Sequence, residues 1–584
     1  MTLFNLLSLV GGLSLFLFGI SIMGDGLEKK AGGRLSGVLQ KLTASRMRGF
    51  LLGLAVTSVI QSSSATTVMV VGFVNSGIMT LSQAIGIIMG ANVGTTVTAW
   101  MLSLTGIQGD SLLMQLLKPS SFSPVFAFIG IILYMFTKSS RKKDVGTILI
   151  GFAVLMYGME TMSAAVKPLA DVPAFANILL LFSNPILGVL TGMLITAIIQ
   201  SSSASVGILQ ALSATGKITY ASAVPIVLGQ NIGTCVTALL SSIGTNKNAR
   251  RAALVHLYFN VIGTTVFLCL FYGLDAIFHF SFIANRASAV GIAVIHTVFN
   301  LSATALLLPF CNGLEKLAYL TIRDDPADTR ETFPLLDERL LVTPTVAISQ
   351  CKALTNEMAN LSKDALLRSI DLIENFSEEK AVVVMNMEDV IDRFEDQLGS
   401  YLVKISSKSL SSADGREVSK LLHSISDLER IGDHAVNIEK TAREIHEKKV
   451  AFSEQAKEEI VTISGAVREI LELATESFIK EDVAVAKMVE PLEQVVDLLR
   501  SKLKRRHIHR LQEGSCTIEM GFIFLDLLTN FERVADHCSN IAVCIIEMEH
   551  GTLDTHEYLK EVKRISDDEY STLFENFKQK YAIS

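Results

Sequence analysis

The stretch Gln61-Ser62-Ser63-Ser64-Ala65-Thr66-Thr67 decides the fold. It is polar, yet it lies between Leu51-Leu52-Gly53-Leu54-Ala55-Val56 and Val68-Met69-Val70-Val71. It returns as Gln200-Ser201-Ser202-Ser203-Ala204-Ser205, again with apolar flanks. Hydroxyls and carboxamides at bilayer depth are costly unless they find partners. Two such clusters point to a site where each copy faces the other.

The duplication extends well beyond the serines. At a constant offset of 139, Gly19 matches Gly158, Met23 matches Met162, Gly53 matches Gly192 and Thr57 matches Thr196. Downstream, Gly90, Asn92, Gly94, Thr95 and Thr98 match Gly229, Asn231, Gly233, Thr234 and Thr237. No insertion interrupts this register, and shared membrane composition does not produce such spacing.

A chain of 584 residues exceeds one domain. Residues 1–320 carry 18 Lys+Arg and 8 Asp+Glu, net +10, and the remainder carries 33 and 50, net −17. The first part holds apolar runs of spanning length, and the second holds charged sequence of helical period. The expected fold is all-α. A polytopic membrane domain covers residues 1–320, with one repeat over about 1–122, a second over about 138–250, and further spans over 252–311. A linker follows over 321–341, then a helical bundle over 342–584. The overall charge of −7 averages two unlike halves and says little about partners. The N-terminus lacks a basic stretch, so residues 3–23 read as a retained first span. The seven cysteines are scattered without a CxxC pair, which argues against disulfides and zinc.

Loop charge sets the expected orientation. Lys29, Lys30, Arg34, Lys41, Arg46 and Arg48 mark one cytoplasmic loop; Lys138, Arg141, Lys142 and Lys143 mark a second; Lys247, Arg250 and Arg251 mark a third. The loops near 105–122, 163–184 and 276–286 hold one basic residue each and should face outward. The repeats are then inverted, as in many secondary transporters. Each has two apolar segments but one net crossing. The simplest solution is a re-entrant hairpin with QSSS at its tip, followed by a full span. Irregular backbone at that depth needs surrounding protein or a water-filled cavity. The full spans carry Gly90-Ala91-Asn92-Val93-Gly94-Thr95-Thr96 and Gly229-Gln230-Asn231-Ile232-Gly233-Thr234-Cys235, read as helix breaks. Close packing through small residues is the competing account.

Helix N-termini and serine hydroxyls suit an oxyanion, and Gln, Asn and Thr oxygens suit a hard cation. The candidate ligands are Gln61, Ser62, Ser63, Ser64, Thr66, Asn92 and Thr95 in the first copy. In the second they are Gln200, Ser201, Ser202, Ser203, Ser205, Asn231 and Thr234. No Lys or Arg lies in the apolar segments that carry the repeats. A multiply charged anion held by neutral donors faces a large desolvation penalty, which a co-bound cation offsets. That predicts sodium coupling. Proton coupling or a neutral solute also fits neutral ligands.

The duplicated QSSS, the GANVGTT and GQNIGTC stretches, and two HxxFN elements resemble the type II sodium–phosphate cotransporter family. The HxxFN elements are His256-Leu257-Tyr258-Phe259-Asn260 and His296-Thr297-Val298-Phe299-Asn300, and the resemblance covers roughly residues 1–312. It implies phosphate as substrate and sodium as coupling ion, both held at residues 61–64 and 200–203. Ser205 stands where the first copy has Thr66, and Cys235 where it has Thr96, so the halves are unequal. His256 and His296 read as packing or interhelix groups, and Glu160 as an outer-interface residue.

The charged half has a repeat of its own. Asp427-Leu428-Glu429-Arg430-Ile431-Gly432-Asp433-His434 recurs as Asn530-Phe531-Glu532-Arg533-Val534-Ala535-Asp536-His537, offset by 103. Glu429 and Asp433 share a helix face, as do Glu532 and Asp536. Upstream, Glu388/Asp392 and Glu493/Asp497 repeat the ExxxD spacing. Such pairs can converge as oxygen ligands for divalent metal, or form a solvated face with i,i+4 pairs. The stretch over about 340–570 resembles PhoU, the regulator of phosphate uptake and signalling. That implies two three-helix bundles, a metal-binding carboxylate face at these pairs and a role near phosphate transport. A metal-free bundle that senses through protein contacts stays open.

Together these readings give a sodium-coupled transporter of inorganic phosphate, working by alternating access. It would be multi-pass in the bilayer of the bacterial inner membrane, with a cytoplasmic regulatory domain. A homodimer and phosphate-signalling proteins are candidate partners; nucleic acid is not. The rival readings are an anion channel or exporter, and a membrane-tethered phosphate-signalling regulator. No nucleophile–base constellation or phosphate-binding Gly-rich loop points to an enzyme.

Overall fold

The computed structural model describes residues 3–41, 45–106, 118–324, 336–408, 410–550 and 568–583. Residues 107–117 of the expected outward loop and 325–335 of the expected linker lie outside the described residues. The chain divides into two compact units, Met1–Val346 and Ala347–Ser584. Both are helical, and Thr219 and Arg286 form an isolated antiparallel bridge.

The first unit runs α1 Leu3–Lys41, α2 Arg46–Ile60, α3 Ser63–Asn75, α4 Leu81–Ser103, α5 Pro119–Phe136, α6 Ser140–Val166 and α7 Pro173–Leu181. It continues with α8 Pro185–Ile199, α9 Ser202–Ser213, α10 Tyr220–Gly233, α11 Cys235–Ser241, α12 Lys247–Phe278, α13 Ala289–Leu307 and α14 Cys311–Thr321. Among the described residues, seven helical stretches are long and apolar enough to cross a membrane. Ser63–Asn75 and Pro185–Ile199 are shorter apolar helices.

The offset of 139 reappears as geometry. The equivalents α1 and α6 pack antiparallel through glycines. A Cβ on Gly19 would lie 2.3 Å from the Leu155 nitrogen, and one on Gly158 would lie 2.4 Å from the Phe16 nitrogen. Phe16 and Leu155 are themselves 139 apart, so the contact is its own mirror. α2 packs on α4 as α8 packs on α10. A Cβ on Gly53 would meet the Ile87 carbonyl at 2.1 Å, and one on Gly192 the Ile226 carbonyl at 2.1 Å. Gly90 and Gly229 face the Phe50 and Val189 carbonyls at 2.0 Å in the same sense.

These contacts correct one expectation. The stretch from Gly90 to Thr96 is not a break: α4 is continuous from Leu81 to Ser103. In the second copy, Thr234 between α10 and α11 keeps helical angles, φ −64° and ψ −24°. The glycines let two helix backbones approach to a distance that any side chain would block.

The second unit comprises α15 Pro344–Glu374, whose first turn straddles the boundary, α16 Glu378–Ser406, α17 Ser412–Lys448, α18 Glu454–Lys480, α19 Val483–Ala486, α20 Val489–Gln512, α21 Ile518–His550 and α22 Asp568–Lys580. α17 and α21 carry the two copies of the charged motif and pack on each other. α16 packs on α17, and α20 on α21. Ile391, Phe394, Leu421 and Ile425 are buried on the first pair of helices, and Val496, Leu499, Phe524 and Phe531 on the second. Each ExxxD pair upstream is thereby set beside its ExxxD partner downstream.

Candidate functional site

α2 ends on Gln61 at φ 60°, and α8 ends on Gln200 at φ 58°. Left-handed backbone is uncommon for a residue with a side chain, and such positions concentrate at functional sites. The next residue in each copy is extended and caps the following helix. Ser62 Oγ accepts from the Ala65 N–H at 3.1 Å, and Ser201 Oγ from the Ala204 N–H at 3.2 Å. One left-handed cap followed at once by a serine N-cap makes a tight helix-to-helix turn. It leaves the N-termini of α3 and α9 at the two tips.

The tips meet. Ser63 Oγ and Ser202 Oγ lie 3.5 Å apart, and Ser64 Oγ donates to the Gln200 carbonyl at 3.4 Å. Ser63, Ser202 and Ser203 are buried. Two helix N-termini and a set of hydroxyls therefore converge, an arrangement that stabilises negative charge. The arms of each turn are tied alike. Thr57 Oγ1 donates to Thr66 Oγ1 at 3.0 Å, and Thr196 Oγ1 to Ser205 Oγ at 2.8 Å.

Asn92, Thr95, Asn231 and Thr234 are buried on the neighbouring helices. Asn92 Nδ2 donates to the Ile88 carbonyl at 3.1 Å, and Asn231 Nδ2 to the Val227 carbonyl at 2.9 Å. Thr95 and Thr234 likewise donate to carbonyls of their own helices. Among the described residues no hydrogen bond joins these four to the serines. Three contributors were not singled out from sequence. Thr98 Oγ1 donates to Gln61 Oε1 at 2.8 Å, Gln230 Nε2 donates to the Ser205 carbonyl at 3.0 Å, and the Thr57/Thr196 pair ties the turns. Thr57 and Thr98 already stood out in the duplicated register, which was the available signal.

A short 3-10 turn, Glu338–Val342, docks on the far end of α3. Leu340 is buried, its side chain 2.9 Å from where a Cβ on Gly72 would stand. Asn75 Nδ2 donates to Asp337 Oδ2 at 2.7 Å. Arg339 donates to the Ser241 carbonyl, and to the Ile243 carbonyl at 2.9 Å, at the end of α11. The last residues before the second unit thus tie an arm of the first tip to a helix of the second copy.

In the second unit, carboxylate oxygens of Glu388, Asp392 and Asp433 all lie within 4.8 Å of one another. Partial burial, then the charges of Asp392 and Asp433, hold Glu388 above the usual carboxylate range. An all-oxygen, mutually repelling set fits a hard divalent cation. Glu429 lies beside this trio, 3.5 Å from Arg430. The second set differs. Glu493 is buried and pushed up to about 8, first by that burial and then by Glu490 and Asp497. Arg500 stands 3.5 Å from Glu532, beside Asp497 and Asp536. Where α17 crosses α21, His434 Nδ1 meets Asn530 Oδ1 and His537 Nδ1 meets Asp427 Oδ1, both at 2.8 Å.

Comparison with known proteins follows the same division. The family described as "Na+/Pi-cotransporter" matches residues 15–164 and 154–285, and the "PhoU domain" matches residues 355–442 and 460–545. "Putative inorganic phosphate export protein YjbB" of Salmonella typhimurium is 26% identical, over 95% of this chain and 100% of that protein. "Uncharacterized protein YqeW" of Bacillus subtilis is 31% identical, over 45% of this chain and 81% of that protein. The crystal structure of PhoU from Pseudomonas aeruginosa aligns at 25% identity and a TM-score of 0.30, covering 35% of this chain and 94% of that one. The chain is a phosphate-transport-related membrane protein built of a Na+/Pi-cotransporter domain followed by two PhoU domains.

Proposed function

We propose that this protein carries inorganic phosphate out of the cell by alternating access around the paired serine tips, with sodium as the co-bound ion. The 3.5 Å approach of Ser63 and Ser202, from turns 139 residues apart, is the observation that carries the reading. Each tip supplies a helix N-terminus and hydroxyls to one point, as an oxyanion requires. The antiparallel pairing of α1 with α6 supports inverted repeats, and the shortness of α3 and α8 supports re-entrant hairpins. The outward direction leans on the relative named for phosphate export, which this chain matches over nearly its whole length.

Charge sets the sign of the membrane potential's contribution to export. An inside-negative potential is worth about 2.3 kcal/mol per elementary charge per 100 mV. A divalent phosphate leaving alone gains about twice that, and each accompanying sodium ion gives back one share. Outward movement is therefore favoured by potential while fewer than two sodium ions travel with each phosphate. The test is efflux of radiolabelled phosphate from proteoliposomes, with sodium or choline on both sides. Faster, potential-dependent efflux in sodium is expected. Flux indifferent to sodium, with conductance of a channel, would overturn the coupling.

The PhoU domains serve as a cytoplasmic regulator in this proposal. The docked turn supports it, because Arg339 and Asp337 tie the tip-bearing α3 to the chain just before the second unit begins. Arg339→Ala should raise or lower efflux severalfold and blunt its response to phosphate inside the vesicle. Unchanged efflux with an unchanged response would remove this link.

A further inference from the structure

Two helices of the membrane unit repeat a pattern that the tips do not use. α12 carries His256, Asn260 and Thr264, and α13 carries His296, Asn300 and Thr304, each set at i, i+4 and i+8 on one face. All six are buried, Asn260 and Asn300 to 0% exposure. Each asparagine donates Nδ2 to the carbonyl one turn back: Asn260 to His256 at 3.0 Å, Asn300 to His296 at 2.8 Å. Each therefore directs its Oδ1, an acceptor, away from its own helix.

The two stripes then part. On α12, Thr264 donates to the Leu228 carbonyl at 3.5 Å and Asn260 Nδ2 also reaches Cys235 Sγ at 3.3 Å, while His256 Nδ1 and Asn260 Oδ1 have no hydrogen-bond partner among the described residues. On α13, both ring nitrogens of His296, Oδ1 of Asn300 and Oγ1 of Thr304 have no hydrogen-bond partner among the described residues. A run of buried, unpaired polar atoms along one stripe costs stability unless something meets them. Two fixed points set the register of this stripe on α4 and the 3-10 turn, Leu104–Gly106, that follows it. Trp100 Nε1 donates to Thr297 Oγ1 at 3.0 Å, and a Cβ on Gly106 would stand 3.0 Å from Ala289 Cβ. The helices run antiparallel, which sets Asn300 level with Thr96 and Thr304 level with Asn92.

We propose that the α13 stripe holds a sodium ion beside α4, with Asn300 Oδ1 and Thr304 Oγ1 as ligands from adjacent turns. The stripe is neutral and presents oxygen acceptors, so it matches a hard cation of single charge. An anion would face the negative end of the carboxamide dipole. A divalent cation would keep its full charge, because the stripe contains no carboxylate. On α12 the Asn260 oxygen is likewise unpartnered, but Thr264 is engaged by the Leu228 carbonyl and the Cys235 thiol, a soft group ill suited to sodium, lies against the carboxamide, so that stripe offers sodium a poorer set of oxygens. The choice of sodium rests on the phosphate–sodium reading above, and the position lies outside the serine tips.

The experiment is sodium titration of the purified full-length protein, read as a thermal shift with choline as the replacement cation, alongside phosphate efflux from proteoliposomes. Asn300→Ala and Thr304→Val should each raise the half-saturating sodium concentration at least tenfold. Asn260→Ala should leave it within twofold, and phosphate half-saturation at saturating sodium should not move. If both α13 variants keep the wild-type sodium response, the stripe holds only water and the proposal is wrong, while coupling at the tips stands. If the unmodified protein shows no sodium response in either assay, the coupling reading fails and this site fails with it. Thr304→Val, which changes one hydroxyl, keeps the test open should Asn300→Ala not fold.

Discussion

At the first tip Gln61 is 4% exposed and closed by Thr98, whose hydroxyl donates to its side-chain oxygen at 2.8 Å. At the second tip Gln200 is exposed, and the hydroxyl of Thr237, the equivalent of Thr98, is buried without a partner. The backbones do not explain this, since both glutamines are left-handed within two degrees of each other at 60° and 58°. One sequence pattern and one backbone turn thus hold two side-chain states. On the carrier reading, the duplicated fold supplies two equivalent closures, and this conformation has made one of them. Exchanging one buried hydrogen bond for its mirror changes the balance by only about 1 kcal/mol. An alternating carrier needs its two states that close in energy.

The comparison can be broken most sharply with a pair of threonine variants. Thr98→Val should destabilise the membrane unit by about 1–3 kcal/mol, because the buried Gln61 oxygen loses its donor. Thr237→Val removes a hydroxyl that has no partner and should be neutral or stabilising. Thermal unfolding of the two purified variants measures the difference. Equal destabilisation would mean that the asymmetry does not describe the protein in solution.

The PhoU domains repeat the comparison in charged form. The first carboxylate set is a compact trio, whereas in the second Arg500 lies beside Glu532 and Glu493 is buried. Asp392→Asn should therefore abolish most stabilisation by added manganese or magnesium, and Asp497→Asn should change it by less than half, as read by thermal shift. A smaller effect concerns pH. Glu493 is raised to about 8, well above its unfolded value, so the folded protein holds that proton more tightly. Its contribution is fully present below about pH 4.5 and fades as pH rises through 8. Glu493→Gln should flatten that decline in metal-free buffer. An unaltered pH profile would show that the carboxyl titrates normally.

How much of this was readable in the sequence depends on the kind of information involved. The serine tips were legible because polar residues in apolar flanks are costly, and because a fixed offset of 139 binds them into one pattern. The charged motif was legible for the second reason. Gly90 and Gly94 misled, since a glycine that weakens a helix and a glycine that admits a neighbouring backbone look the same in sequence. The closure of Gln61 but not Gln200 was not legible at all, because both copies carry the same glutamine and the same threonine, and the difference lies in which partner each side chain has taken. The docked turn was hidden for another reason. Asp337 and Arg339 fall in the stretch read as a linker, whereas their partners lie far away in sequence, in α3 and just past α11.

The most direct measurement is phosphate efflux from proteoliposomes holding Ser63→Ala, Ser202→Ala or both changes. If the tips build one shared site, each single variant loses at least tenfold in rate, and the double variant is far less impaired than the product of the two losses. Wild-type efflux from both single variants would contradict a shared site at the serine tips.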